Sequence, residues 1–209
     1  MKKGLFITFE GADGSGKTTQ LNKIKDLLVE QGFDVVVTRE PGSLDIGQKI
    51  RNILLHQEGF VSDRCEMFLF LADRSQHVDE LIKPAVEQGK IVLCDRHTDS
   101  TVAYQGYGRG QDIELLKRLN KIAVDGIVPD LTLLFDVSTQ TAQDRVGSEK
   151  DRMESAGAKF HSRVRNGYLE LQKENPDRIK IIDANNDIDK VFEDTKNIVV
   201  KLIQESRGV

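Results

Sequence analysis

Residues 11–19 read Gly11-Ala12-Asp13-Gly14-Ser15-Gly16-Lys17-Thr18-Thr19 and fit the pattern G-x-x-x-x-G-K-[ST]. Such a stretch works only between a buried strand and the first turn of a helix, and the flanks supply both. Leu5, Phe6, Ile7, Thr8 and Phe9 form an apolar, β-branched run before it. Leu21, Ile24, Leu27 and Leu28 recur at helical spacing after it. The glycines let the backbone curl so that successive N–H groups point inward, and the helix start adds its positive end. Residues Gly11 to Thr19 are therefore expected to form a cradle for the phosphates of a nucleoside triphosphate. In it Lys17 reaches the β- and γ-phosphates and the Thr18 hydroxyl holds Mg²⁺.

The rest of the chain alternates strand and helix. Gly32 sits at a helix C-terminus, and Phe33 to Thr38 is a Val-rich strand, predicted to be buried on both faces. Ile46, Ile50, Ile53 and Leu54 mark a helix running to about His56. A long helical stretch from Val61 to Glu87 holds Pro84 as a point of kinking. Ile91 to Asp95 is the third strand, and Leu115, Leu119, Ile122 and Ala123 mark a further helix. Leu131 to Val137 and Ile179 to Asp183 are the fourth and fifth strands, and Val191, Phe192, Ile198, Val199, Leu202 and Ile203 lie on the last helix. Gly147 to Glu154 is polar and reads as a mobile segment between two helices. No repeat or linker interrupts this order, so residues 1–209 are expected to form one α/β domain, a five-stranded parallel sheet with helices on both faces.

Composition narrows the function. Lys and Arg number 30 against 34 Asp and Glu, a net charge of −4 that offers no surplus cation for a nucleic-acid backbone. No apolar run is long enough to span a membrane, and Met1-Lys2-Lys3-Gly4 leads straight into the first strand. A cytoplasmic location is expected. Cys65 and Cys94, the only cysteines, sit in apolar runs and read as reduced core thiols.

In open parallel sheets ligands bind beyond the carboxyl ends of the strands. Four groups stand there and are expected to share one cleft: the P-loop, Arg39-Glu40-Pro41-Gly42, Asp95-Arg96 and Asp183. Asp95 closes a hydrophobic strand, where a carboxylate can contact Mg²⁺ directly or through water. Arg96 offers a guanidinium fork to a second, acceptor phosphate, and Arg39 and Arg51 can add to the same site. Singly, each arginine is equally readable as a surface ion-pair partner.

The Glu10-Gly11 start of the P-loop, Arg39-Glu40-Pro41-Gly42, Asp95-Arg96-His97, Ala103-Tyr104-Gln105-Gly106 and Pro129-Asp130-Leu131-Thr132 together resemble the bacterial thymidylate kinases. The match runs in order through nearly the whole chain. It implies a P-loop kinase fold with a short lid at about 145–154, passing the γ-phosphoryl of MgATP to dTMP to give dTDP and ADP. It also implies a homodimer, to which the apolar stretch 61–72 could contribute an interface as readily as core. By the resemblance, Asp13 bonds the deoxyribose 3′-hydroxyl, Phe70 stacks on thymine, and Arg74 faces an exocyclic oxygen of the base. Thr101 and Gln105 make base-edge contacts, Tyr104 crowds the sugar 2′ position, and Arg39, Glu40, Arg51 and Arg96 belong to the acceptor site. From the residues alone Phe70 reads as core, since Phe68, Leu69 and Leu71 flank it.

Members of this family without an arginine in the P-loop supply one from the lid. Here the P-loop position is Gly14, and Arg145 and Arg152 flank the polar segment, so with Lys17, Arg96 and Asp13 they complete the implied catalytic set. Arg152 could equally be an ion-pair partner of Asp151 or Glu154, and Arg145 could pack on adenine. Two positions depart from the family pattern: Ser43-Leu44 stands in place of Gly-Thr, and His97 in place of a Tyr or Phe. A kinase for another nucleoside monophosphate and a regulatory P-loop protein are the alternative readings. The paired positions Phe70/Arg74 and Thr101/Gln105 favour a pocket for an acceptor.

Overall fold

The computed structural model describes residues 4–145, 152–153 and 156–207. The elements run β1 (Leu5–Gly11), α1 (Lys17–Glu30), β2 (Val35–Arg39), α2 (Asp45–His56), α3 (Asp63–His77), a π-helical turn (Val78–Ile82), α4 (Lys83–Glu87) and β3 (Ile91–Asp95). They continue with α5 (Thr98–Thr101), a second π-helical stretch (Val102–Gly108), α6 (Ile113–Ala123), β4 (Leu131–Asp136), α7 (Thr139–Arg145), α8 (Ala158–Glu174), β5 (Ile179–Asp183) and α9 (Ile188–Arg207). The strands form one parallel sheet in the order β2-β3-β1-β4-β5, the α/β arrangement expected. β1 is central, so the P-loop leaves the middle of the sheet, where the chain's crossovers diverge to either side.

Alternation along β1 divides the core. Leu5, Ile7 and Phe9 pack with Leu21, Ile24 and Leu28 of α1 and Val191, Val199 and Ile203 of α9. Phe6, on the opposite face, joins Val92 and Cys94 with Val78, Ile82, Ala85 and Val86. A third cluster joins Leu134 and Ile179 to Tyr104, Phe160, Val164, Tyr168 and Leu171, fastening the second π-helical stretch to α8.

Three expectations are corrected. β2 is an edge strand, with Val35 and Val36 half-buried and Val37 44% exposed, because the order of the sheet gives it only one neighbour. Cys94 is buried but Cys65 is exposed, since it lies in the first turn of α3 on the outer face. Asp183 does not join the cleft. It lies at the end of the other edge strand, is exposed, and accepts hydrogen bonds from Asn185.

The stretch from Asp63 to Glu87 is helical throughout, and its hydrogen-bond register shifts in the π-helical turn just before Pro84. Helices α7 and α8 flank the polar segment, but 146–151 and 154–155 lie outside the described residues, and with them the reading of that segment as mobile. Among the described residues, no helix is long and apolar enough to cross a membrane.

Candidate active site

The P-loop turns at Gly14 and Gly16, both at positive φ, and α1 begins at Lys17 with its first-turn amides at the mouth of the loop. Lys17 is buried, and its Nζ donates to the Ala12 carbonyl at 3.1 Å, lying along the loop rather than out in solvent. Burial and the Arg96 charge both lower its pKa, in part against Asp95, Asp13 and Glu10. Ser15 Oγ is buried without a partner. At Gly14 an added Cβ would stand 2.3 Å from the Ala142 carbonyl oxygen of α7. That backbone leaves no room for a longer side chain, so a P-loop arginine does not fit here. Thr18 Oγ1 donates to Asp95 Oδ2 at 2.9 Å, while Asp95 Oδ1 is buried and unpartnered. A hydroxyl beside an orphaned carboxylate oxygen is a hard donor set of the kind Mg²⁺ takes.

Beside the P-loop lies a cavity lined by Asp13, Glu40, Arg51, Phe70, Arg74, Arg96, Thr101, Tyr104 and Gln105. Every acceptor-site residue expected from the sequence except Arg39 is on this wall. Arg39 is exposed on edge strand β2 and lines a separate cleft with Thr18, Gln48 and Asp95. Phe70 is half-buried and faces the cavity, so it is not simply core. Pro41, from the Arg39-Glu40-Pro41-Gly42 group, is on the wall as well; sequence reading missed Leu55, Ser100 and Met153, which complete the lining and carry no pattern that marks them.

Arg96 follows β3 with φ 69°, a left-handed conformation unfavourable for a side chain with Cβ, costing about 1–2 kcal/mol. Such strain at a cleft marks a side chain whose direction matters. Its Nη2 donates to Asp13 Oδ1 at 2.7 Å, and its Nη1 donates to Ser100 Oγ and the Tyr168 hydroxyl, each at 3.2 Å. The guanidinium lies 5.0 Å from the Tyr104 ring centre. Tyr104 itself donates to Asp13 Oδ2 at 3.3 Å. Burial would raise the Asp13 pKa, but Arg96 and Lys17 hold it well below the usual carboxylate range. Arg51 donates to the Pro41 carbonyl at 2.9 Å, and its chain passes so close to Gly42 (φ 100°) that an added Cβ there would lie 2.7 Å from Arg51 Cδ.

Arg74 is 1% exposed and held on four sides: by Glu40 Oε2 at 2.8 Å, Thr101 Oγ1 at 2.8 Å, Asn120 Oδ1 at 2.6 Å and the His97 carbonyl at 3.0 Å. Glu40 Oε1 also bonds the Nδ1 atoms of His77 and His97, each at 2.9 Å. Burial opposes the Glu40 charge, yet Arg74 and His97 keep its pKa well below the usual value. Glu40 therefore stiffens the wall from behind. His97 packs edge-on against Phe6 at 5.0 Å, an aromatic contact that a Tyr or Phe could also make. The departure at Ser43 is absorbed locally, where its Oγ accepts from Thr38 Oγ1 at 2.8 Å.

Behind Arg96, Glu10 accepts from the His97 amide at 2.7 Å, Ser100 Oγ at 2.6 Å and Tyr168 at 3.0 Å. Burial, then the charge of Asp99, push the Glu10 pKa to about 7, against Ser100, Arg96 and His97. The folded state thus keeps a proton that the unfolded chain releases near pH 4.5. The Glu10 contribution to stability is complete at low pH and is lost as pH rises through about 7. This opposes Asp13, Glu40 and Glu66, whose lowered pKa values make their contributions fade as pH falls. Glu10→Gln should flatten the decline in unfolding free energy above pH 4.5 by on the order of 3 kcal/mol. Denaturant unfolding across that range checks it; an unchanged slope would dismiss Glu10 as its source.

The two lid arginines occupy different places. Arg145 donates to the Ala184 carbonyl at 3.0 Å, beyond β5. Arg152 Nε donates to the Leu54 carbonyl at 2.9 Å and its Nη2 stands 2.6 Å from Glu66 Oε2, an ion pair across the fold. The suggested neighbours Asp151 and Glu154 lie outside the described residues.

The thymidylate kinase family model matches residues 9–195. A thymidylate kinase of Maridesulfovibrio salexigens is 47% identical over 210 residues, covering 96% of this chain and 97% of its own. One of Shouchella clausii is 42% identical over 212 residues, covering 99% of this chain and 100% of its own. The crystal structure of thymidylate kinase from Ehrlichia chaffeensis superposes with a TM-score of 0.77 at 36% identity, covering 94% of this chain and 99% of that one. With a matched family model over most of its length and relatives this similar from end to end, the chain belongs to the thymidylate kinase family.

Proposed function

We propose that the chain, as one P-loop domain, is an ATP-dependent thymidylate kinase whose acceptor site is the cavity beside the P-loop. One observation carries the reading: Asp13 belongs to the P-loop and to the cavity wall at once, and Arg96 is bonded to it at 2.7 Å. Donor and acceptor are thereby held on two sides of one ion pair. An oxygen of the acceptor phosphate bonds to the γ-phosphorus while the bond to the β,γ-bridging oxygen breaks, leaving dTDP and ADP.

The chain's own contribution is position and charge. Lys17 and the first-turn amides of α1 hold the triphosphate, and Arg96 and Arg51 hold the acceptor phosphate. Asp13 takes the sugar hydroxyl, and Phe70 and the Arg74, Thr101 and Gln105 group take the base. Tyr104, tied to Asp13 and lying under Arg96, fills the space beside the sugar. Thr18 and Asp95 would hold Mg²⁺, which neutralises charge on the phosphates when bound.

ADP release measured with and without dTMP tests the reading. Release should rise many-fold on adding dTMP. Release that ignores dTMP but follows another nucleoside monophosphate would reassign the acceptor, and release without any acceptor dependence would favour a regulatory protein. Arg96→Ala should raise the KM for dTMP about ten- to a hundredfold, the worth of a charge-assisted contact, with the KM for ATP little changed. An effect confined to ATP would place Arg96 in the wrong site.

We also propose a homodimer in the cytoplasm, where its nucleotide substrates are found. Phe68 on α3 is 53% exposed, and Leu115 and Ile122 on α6 are 40% and 75% exposed, an apolar strip on two packed helices. Sedimentation equilibrium reads the mass directly.

A further inference from the structure

Glu66, on α3 and outside the cavity wall, is 0% exposed, accepts hydrogen bonds from Gln105 and Arg109, and forms an ion pair with Arg152. Its Oε1 accepts from Gln105 Nε2 at 2.8 Å and from Arg109 Nε at 3.3 Å. Its Oε2 accepts from Arg109 Nη2 at 3.2 Å and pairs with Arg152 Nη2 at 2.6 Å. We propose that Glu66 is a positioning residue of the transfer reaction: it fixes the base-facing amide of Gln105 and the guanidinium of Arg152 relative to one another.

The cluster holds two carboxylates and two arginines, since Arg109 Nε also lies 3.6 Å from Asp63 Oδ1. Arg109 has its own anchors, lying 4.9 Å from the Phe160 ring centre and 3.6 Å from Met153 Sδ. With Arg109 shared between Asp63 and these contacts, Glu66 is the carboxylate that gives Arg152 a fixed place. Two elements aim its fork, since Nη2 meets Glu66 on α3 and Nε meets the Leu54 carbonyl in the last turn of α2. A guanidinium held at both points cannot swing freely. Met153, next in sequence, is 5% exposed and lines the acceptor cavity, so the place given to Arg152 adjoins that cavity.

Glu66 also sets which end of Gln105 is which. With the amide nitrogen turned to the carboxylate, the carbonyl oxygen is turned the other way, as an acceptor for a base N–H. Thymine carries such an N–H at its ring edge, whereas cytosine has a bare acceptor nitrogen there. The bond to Glu66 thus favours thymine and penalises cytosine. Without the carboxylate, the Gln105 amide can rotate and the preference weakens.

This rests on the thymidylate kinase reading, so an acceptor panel on the unaltered enzyme comes first. If dTMP is not phosphorylated there, the substrate reading fails on its own, and Glu66 is tested with whichever acceptor is used. Glu66→Gln keeps shape and removes charge. In the folded variant the KM for dTMP should rise about tenfold and kcat should fall, with the KM for ATP within about twofold. The preference for dTMP over dCMP should narrow. Arg152→Ala should then cost at least about threefold less in kcat/KM on the Glu66→Gln background than on the unaltered one. A purely structural residue would lower the thermal midpoint and leave the two substitutions additive and the base preference intact. Additive losses, or unchanged KM and preference in folded Glu66→Gln, would overturn the proposal. Should that variant not fold, Glu66→Asp retains the charge while withdrawing it by one methylene. It should show the same shifts at smaller size, and their absence would be equally fatal.

Discussion

Lys17→Ala should fold normally and lose phosphoryl transfer by about 10²–10³-fold in kcat, the range seen when one preorganised donor to developing charge is removed. The reason is local. Lys17 is buried along the loop with its Nζ on the Ala12 carbonyl, so its charge is already in place and no neighbouring side chain can substitute. Arg96, the nearest strong cation, is committed to Asp13, Ser100 and Tyr168 on the acceptor side. Stability should not fall, because a buried ammonium with no carboxylate bonded to it opposes folding through its desolvation rather than supporting it. Coupled-assay kinetics with circular dichroism as the check on folding separate the two effects. Full activity in a folded variant would remove the P-loop assignment.

The second large effect belongs to Arg145 and Arg152. Gly14 leaves the P-loop without an arginine, and the Ala142 carbonyl leaves no room for one, so charge on the transferring phosphoryl must be met from elsewhere. A transition-state arginine is worth about 10³–10⁵ in rate. Alanine at the responsible position should lower kcat and kcat/KM together by about 10³-fold while leaving the KM for dTMP nearly unchanged. The structure separates the two candidates. Arg152 adjoins the acceptor cavity through Met153, whereas Arg145 reaches beyond β5 to the Ala184 carbonyl. Loss of Arg145 felt mainly in the KM for ATP would place it on the adenine instead. Unchanged kcat in both single variants would end the lid-arginine mechanism. A loss of only a few tenths of a kcal/mol in stability, with kinetics intact, would reduce Arg152 to an ion-pair partner.

The sequence by itself determined what depends on local pattern. The glycine spacing with its strand and helix flanks specified the P-loop and α1, and apolar runs bounded by turns specified the five parallel strands. Asp95 and Arg96 could be placed beside the P-loop because strand ends converge, and Phe70 and Arg74, which the family resemblance carried into the acceptor pocket, could be paired because i, i+4 side chains share a helix face. What the tertiary structure alone decided depends on strand order and on partners far apart in sequence. Edge placement put Arg39 and Asp183 outside the acceptor cavity and exposed one face of β2. Glu10, Glu40 and Glu66 gave no local sign of their roles as buried anchors. Each takes its donors from residues between 34 and 158 positions away, contacts that only the packed sheet and its covering helices create. Burial is what gives those carboxylates their force, since in low dielectric a charged group must be fully bonded or not be there at all.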